Sequence, residues 1–129
     1  MTPSPLQLIY RGSATWNHWR QKDSVAVPSL AEANLANLNL RGINLAGIDL
    51  SHAHFNHSRL VGANLRDGNL TGTDFSHCQL VDIDFSHSKL VNAQFFKLIF
   101  RGLNSARPNY WGQTSRKRTS GKWILKGLI

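Results

Sequence analysis

The sequence predicts an all-β solenoid, a rod in which the chain winds through stacked coils that each have four short sides. Leucine or phenylalanine occupies every fifth position from Leu30 to Phe100 without exception. Uncharged, mostly small residues recur two positions earlier, and asparagine or aspartate often lies between the two. A period of five fits neither an α-helix nor a long strand. It fits a chain that makes a short extended step, turns a corner and repeats.

Each five-residue step is expected to place two side chains inside the coil. Residues two apart in an extended segment point to the same side, so the small residue and the following Leu or Phe both face inward. The corner then falls on the next two positions, where a turn that needs a positive φ favours glycine. Glycine occupies this position at Gly42, Gly47, Gly62 and Gly72. Four steps close a square, and residues 31–100 make about 3.5 coils.

Positions twenty residues apart are expected to stack in neighbouring coils, which predicts four interior ladders. One ladder contains three phenylalanine rings, and rings repeated at strand spacing favour an offset stack. The predicted ladders are Leu35–Phe55–Phe75–Phe95, Leu40–Leu60–Leu80–Phe100, Leu45–Leu65–Phe85 and Leu30–Leu50–Leu70–Leu90.

The repeated motif also resembles that of a known family. Ala-Asn/Asp-Leu followed by two variable residues occurs as Ala33-Asn34-Leu35 and Ala63-Asn64-Leu65, with close variants at Ile43-Asn44-Leu45 and Ile48-Asp49-Leu50. Over residues 28–100 this pattern is similar to the pentapeptide-repeat family. The resemblance implies a right-handed quadrilateral β-helix. The segment 14–20 is similar to the short helical cap that precedes the coil in many members.

The largest aromatic residues lie outside the repeat, at both of its ends. An open solenoid exposes an apolar cross-section and unpaired strand edges there, and both need to be covered. The spacing of Trp16 and Trp19 predicts an amphipathic helix over Leu6–Gln21 that caps the first coil. At the other end we expect Tyr110 and Trp111 to form an irregular lid. A ligand or partner surface is the alternative for both aromatic clusters.

Charge separates a nearly neutral body from a basic end. Of the net charge of +8, residues 101–129 contribute +7 without a single acid, whereas residues 28–100 sum to −1. We therefore predict an N-terminal cap over 1–27, a solenoid over 28–104, and an aromatic lid with a basic tail over 105–129. The tail ends in an apolar-basic octet, which is too short to anchor a membrane alone, and folding back against the rod is the alternative for it.

The polar residues of the repeat predict no catalytic or metal site. His57 and His77 share an outer position in neighbouring coils, but a metal site needs three or four ligands, so we interpret them as surface spacers. Asp82 and Asp84 have no nucleophile or proton shuttle beside them, and hydrogen bonding within the coil explains the aspartates. Cys78 occupies the inward row, which predicts a small buried side chain. We expect a protein that is not an enzyme and binds no cofactor.

Three functions are compatible with this sequence. The leading hypothesis is a noncatalytic protein–protein interaction or scaffold module that displays side chains on a rigid rod. An adaptor for nucleic acid or an anionic membrane surface, acting through residues 114–129, is the second. A gyrase-protecting DNA mimic, which the family resemblance implies as a third, is disfavoured because mimicry needs an acidic surface. The candidate partner surface comprises Val61, Val81, Arg116, Lys117, Arg118, Lys122, Trp123 and Lys126.

The amino-terminal segment predicts no secretory signal, because it has neither an early positive charge nor a long apolar run. The single cysteine excludes an internal disulfide framework. We therefore expect a cytoplasmic protein.

Overall fold

A computed structural model describes residues 3–22, 27–96, 99–101, 118–119 and 122–125. Two helices come first, α1 over Pro5–Tyr10 and α2 over Ser13–Lys22. The strands within the described residues are β1 (Gln79–Val81), β2 (Ala93–Phe96), β3 (Ile99–Arg101), β4 (Arg118–Thr119) and β5 (Lys122–Leu125). Neither helix in this part of the chain has the length and apolar character needed to cross a bilayer.

The repeat winds in coils of twenty residues that pair in parallel on four sides. Each pairing joins a residue to the one twenty positions later. We number the sides by these series: side 1 is Asn34–His54–Asp74–Gln94, side 2 is Asn39–Arg59–Gln79, side 3 is Asn44–Asn64–Asp84, and side 4 is Ser29–Asp49–Asn69–Lys89. Backbone hydrogen bonds of 2.7–3.2 Å join neighbouring coils. Regular strands are few because most sides contribute only one paired residue between two corners.

Every described corner of the coils contains a residue in the left-handed conformation. The second corner residue has a φ between 57° and 72° at Glu32, Asn37, Gly42, Gly47, His52, His57, Gly62, Asp67, Gly72, His77, Asp82, His87 and Asn92. Glycine adopts this φ without strain, and Asn, Asp and His tolerate it better than most residues. The motif's Asn or Asp also supports the corner, because Asn34 Oδ1 accepts a hydrogen bond from the Ala36 N–H at 3.1 Å.

The interior is a filled stack of apolar side chains. Phe75 lies between Phe55 and Phe95, with ring centroids 5.2 Å and 5.1 Å away and nearly parallel planes. Phe85 meets Phe75 edge-on at 5.8 Å. The ladder residues that are at most 1% exposed are Leu35, Leu40, Leu45, Leu50, Phe55, Leu60, Leu65, Leu70, Phe75, Leu80, Phe85, Leu90 and Phe95. Phe100 lies in β3, where the backbone alone is described.

Small polar residues complete the interior without leaving polar atoms unpaired. Ser58, Thr73 and Cys78 each donate to a carbonyl oxygen of the preceding coil at 2.5–2.8 Å. Burial raises the pKa of the Cys78 thiol to about 12, so the sulfur stays protonated and unreactive.

The predicted helix over residues 6–21 is two helices in the structure. Ser4 and Gln7 form a reciprocal capping box with Pro5 at the first helical position, which begins α1. Gly12 has a φ of 114° between α1 and α2. A residue with a side chain rarely adopts this φ, so the glycine lets the chain turn where the helical spacing predicted continuity.

Candidate functional site

The first coil is covered by side chains of α2. The indole of Trp16 is fully buried and its Nε1 donates to the carbonyl oxygen of Asn44 at 2.6 Å. Asn17 donates to the Gly42 carbonyl at 2.9 Å and accepts from the Asn44 N–H at 2.8 Å. In the next coil the corresponding Asn64 N–H donates to the Ile43 carbonyl and its C=O accepts from the Leu45 N–H. At Asn44, the side chains of α2 therefore make the hydrogen bonds that a neighbouring coil makes at Asn64.

Two more residues with polar groups reach the same edge. Sequence reasoning counted Tyr10 among the aromatic residues at this end but missed Arg20 and Asn17. The Arg20 guanidinium donates to the carbonyl oxygen of Ala46, at the corner after side 3, at 2.7 Å. The Tyr10 hydroxyl donates to the carbonyl oxygen of Asn34 at 2.8 Å. Trp19 packs against Trp16 with ring centroids 5.1 Å apart. The structure thus places Trp16 on the first coil, with Trp19 packed beside it.

At the other end of the solenoid, backbone pairing covers the edge of side 1. β5 runs antiparallel to β2, with Ala93 opposite Leu125 and Phe96 opposite Lys122. β4 pairs antiparallel with β5, and β3 continues side 2 by pairing in parallel with β1. The sequence places the segments 118–119 and 122–125 in the basic tail, and the structure adds that they form paired strands. The first four residues of the final octet form β5 and fold back against the rod, as the alternative to a membrane anchor expected.

Several predicted contact and cap residues cannot be placed at the level of side chains. Tyr110, Trp111, Arg116, Lys117 and Lys126 lie outside the described residues, and for Arg118, Lys122 and Trp123 the backbone alone is described. Their roles stay predictions.

Two histidines of the walls, His57 and His77, stack at corners of neighbouring coils. The rings of His57 and His77 are parallel, with centroids 4.6 Å apart. Both residues occupy the left-handed corner position, which the interpretation as spacers did not include. Within the described ranges, no group of three or more His, Cys, Asp or Glu residues is arranged to hold a metal ion.

The carboxylates of the walls make local hydrogen bonds. Asp49 accepts from the N–H and the hydroxyl of Ser51, at 3.0 Å and 2.7 Å, and these bonds lower its pKa. Burial alone would raise the pKa of Asp84, but hydrogen bonds from Ser86 and the Arg66 guanidinium at 3.4 Å lower it overall. Both aspartates therefore stabilise corners, and neither has the raised pKa of a general acid.

Side 2 contains an open groove of about 190 Å³, lined by Asn39, Arg41, Arg59, Val61 and Gln79. Val61 and Val81, predicted from the sequence as contact residues, are half-buried at the first corner position of neighbouring coils. Arg59 and Gln79 were missed. The twenty-residue spacing that stacks Asn39, Arg59 and Gln79 was the signal that could have found them.

Comparison with known proteins places the repeat in a family. Residues 28–95 match a family model described as "Pentapeptide repeat region". Among solved structures, a pentapeptide repeat protein from the cyanobacterium Cyanothece 51142 is 26% identical with a TM-score of 0.47, and the match covers 56% of this chain and 46% of that protein. The match thus spans less than half of the Cyanothece protein.

Two further structures are similar. A pentapeptide repeat protein from the Arabidopsis thaliana thylakoid lumen is 21% identical, with a TM-score of 0.38 and coverage of 72% of this chain and 68% of that one. One from Nostoc Pcc 7120 is 20% identical, with a TM-score of 0.29 and coverage of 64% and 78%. No curated protein sequence matches. The family match spans most of the residues that form the four-sided coils, and the chain belongs to the pentapeptide-repeat family.

Proposed function

We propose that this protein is a noncatalytic interaction module, a right-handed four-sided rod that displays side chains to a protein partner. The observation that carries the proposal is the pairing of neighbouring coils on all four sides, with one paired residue on each side and successive pairs five residues apart along the chain. This pairing holds each outward side chain beside its counterparts twenty residues away. A wall of fixed side chains binds a partner without first paying the entropy of ordering a loop.

The polar chemistry of the described part supports the same function. Its inward hydroxyls donate to carbonyls of the coil interior, and the aspartates with shifted pKa values accept hydrogen bonds at corners. The buried thiol of Cys78 is protonated, because burial raises its pKa to about 12. Structural roles thus account for the groups that would otherwise be candidate nucleophiles or acids.

The experiment compares folded and unfolded bait. The intact protein and a Phe75→Asp variant, which places a carboxylate inside the fully buried stack and whose unfolding is checked by circular dichroism, are immobilised and exposed to the host proteome. Proteins retained by the folded rod alone are then purified and titrated against it by calorimetry. We expect saturable binding by the intact protein. Retention that is equal on both baits, or that disappears with purified proteins, would contradict the proposal.

The basic end favours a second candidate, an adaptor for nucleic acid or an anionic membrane, because residues 101–129 carry +7 without an acid. Deleting 114–129 is an unsuitable test, since it removes β5 and leaves the outer edge of β2 unpaired. Replacing Arg116 and Lys117 with Gln keeps β5 in place. If the protein is an adaptor, this variant should lose binding to a single-stranded oligonucleotide or to phosphatidylserine vesicles. The affinity of the parent protein should also fall steeply between 50 and 200 mM salt, roughly in proportion to the number of phosphates neutralised.

A further inference from the structure

We propose that side 2 is the contact face of this module and that its partner is an extended acidic protein segment whose carboxylates pair with Arg41 and Arg59. This inference rests on the proposed interaction function and names the surface and the chemistry of the partner.

The two arginines of side 2 differ from the arginine of side 3. Arg66 pairs with Asp84 at 3.4 Å, so its charge is already compensated within the coil. Arg41 and Arg59 are exposed, and among the described residues neither guanidinium has a carboxylate or a hydrogen-bond partner. Both line one groove. Guanidinium groups bind carboxylates through two parallel hydrogen bonds, so a pair of them in one groove favours an acidic ligand.

The rest of the groove favours a polypeptide. Asn39 and Gln79 offer amide donors and acceptors of the kind that bond to a peptide backbone. Val61 and Val81 add half-buried apolar surface along the same corner. An extended segment that alternates acidic and apolar side chains satisfies the cations, the amides and the valines together.

The described part of the helical cap does not bond to the backbone of side 2 in the first coil. Among the described residues, cap side chains bond to the backbone of Asn34 on side 1, Asn44 on side 3 and the corner residue Gly42. No hydrogen bond within the described part reaches the backbone N–H or C=O of Asn39 on side 2. A partner strand that added one pair there would use the single-residue pairing that joins the coils themselves.

A phosphate polymer fits side 2 less well. Nucleic-acid contacts commonly neutralise about 6–10 phosphates. The described side chains of side 2 and its corners supply Arg41 and Arg59 and also the acid Asp82. Two arginines and one aspartate suit a ligand with one or two carboxylates. A sugar-phosphate backbone would also make no use of the apolar valines at the corner.

The test selects peptides against the intact protein. A phage library of random linear dodecamers is panned on it, with counter-selection on the double variant Arg41→Gln/Arg59→Gln. We expect enrichment of sequences with two or more Asp or Glu residues beside Val, Ile or Leu. A synthetic peptide of the enriched sequence, labelled with fluorescein, should bind the intact protein by anisotropy and lose at least about tenfold in affinity on the double variant.

Matched controls separate local pairing from net charge. Arg66→Gln also removes one positive charge, and we expect it to change affinity less than about twofold because that arginine already has a partner. Enrichment of sequences without acids, equal binding by the double variant, or an equal loss in Arg66→Gln would overturn the inference. So would binding of a dodecathymidine that depends on Arg41 and Arg59 when no acidic peptide binds.

The two proposals fail in distinguishable ways. If the partner found with the folded bait binds the Arg41→Gln/Arg59→Gln variant as tightly as the parent, the interaction function holds and the assignment of side 2 is wrong. If acidic peptides bind side 2 but no protein prefers the folded bait, the side-2 chemistry holds and the interaction function fails. Circular dichroism of both variants checks that the coils are intact.

Discussion

At its N-terminal end the rod meets a helix, whereas side 1 at its C-terminal end meets a strand. The helix α2 reaches the first coil through the side chains of Trp16 and Asn17, which bond to backbone groups of that coil. The strand β5 reaches β2 by antiparallel pairing over four residue pairs. The same problem, a coil edge with no neighbour, thus has two solutions in one small molecule.

The difference follows from where each element uses its backbone hydrogen bonds. A helix bonds its N–H and C=O groups internally, so only its side chains can serve another element. A strand has free groups on both edges and needs no particular side chain to pair. The N-terminal cap should therefore be sensitive to single side-chain changes, and the C-terminal closure to loss of main chain.

The largest effect is expected from Trp16→Ala. It removes a fully buried indole and leaves the Asn44 carbonyl without its donor. We expect the free energy of unfolding in urea to fall by about 3–5 kcal/mol, as for other buried aromatic truncations. Phe75→Ala, in the interior stack, serves as the reference with a loss of about the same size. A loss below about 1 kcal/mol for Trp16→Ala would show that the cap is not part of the cooperative unit.

Removing β5 should have the next largest effect. A chain that ends after Gly121 lacks all of β5, whereas a chain that ends after Leu125 retains it and is the matched control. We expect the first truncation to lower the free energy of unfolding by about 2–4 kcal/mol, at about 1 kcal/mol for each hydrogen bond lost. Amide exchange should accelerate in β2 and remain slow in the first coil. Equal protection of β2 in both truncations would contradict the pairing.

A smaller loss is expected from Asn17→Ala. This change removes two hydrogen bonds to the first coil, one as donor and one as acceptor. The expected cost is about 1–2 kcal/mol, measured by thermal and urea unfolding. Gln21→Ala, at an exposed position of the same helix, is the control and should cost less than about 0.5 kcal/mol. Equal costs for the two variants would mean that Asn17 does not bond to the coil in solution.

Acid should have the smallest effect, and it should affect the corners rather than either end. Hydrogen bonds from Ser51 lower the pKa of Asp49 below its ordinary value of 3.8 in the folded state. A lowered folded pKa means that the stabilisation is fully present above the unfolded pKa and is lost as the pH falls through the folded one. The urea concentration at the unfolding midpoint should therefore decrease when the pH is lowered below about 4, and it should decrease by less in the Asp49→Asn variant. An equal decrease of the midpoint in the parent and in the variant would show that Asp49 does not contribute to the loss of stability in acid.

The interior could be predicted from sequence because one local rule places every residue. The five-residue spacing sets which side chains point inward, and the twenty-residue closure then stacks Phe55, Phe75 and Phe95. The corner histidines were harder to interpret. His57 and His77 share the register of Gly42 and Gly62, which predicts a left-handed residue, but histidine is not usually considered a turn former.

The C-terminal closure could not be predicted, because the rule ends with the repeat. Ser120-Gly121 separates Thr119 from Lys122, and a two-residue link that contains glycine is a hairpin signal that supports the pairing of β4 with β5. Nothing local identifies β2 as the second neighbour of β5. The groove on side 2 was half predicted. The outward register of the valines can be read from the sequence, whereas an arginine without a partner is visible only in three dimensions.

The antiparallel direction of β5 also limits how long the rod can become. Coils add to a solenoid in parallel, each on the edge of the one before it. Because β5 occupies the edge of β2 in the opposite direction, the first coil of a second molecule cannot continue the stack on side 1. We therefore expect β5 to oppose end-to-end polymerisation through side 1, where an uncovered strand edge would be a template for another chain.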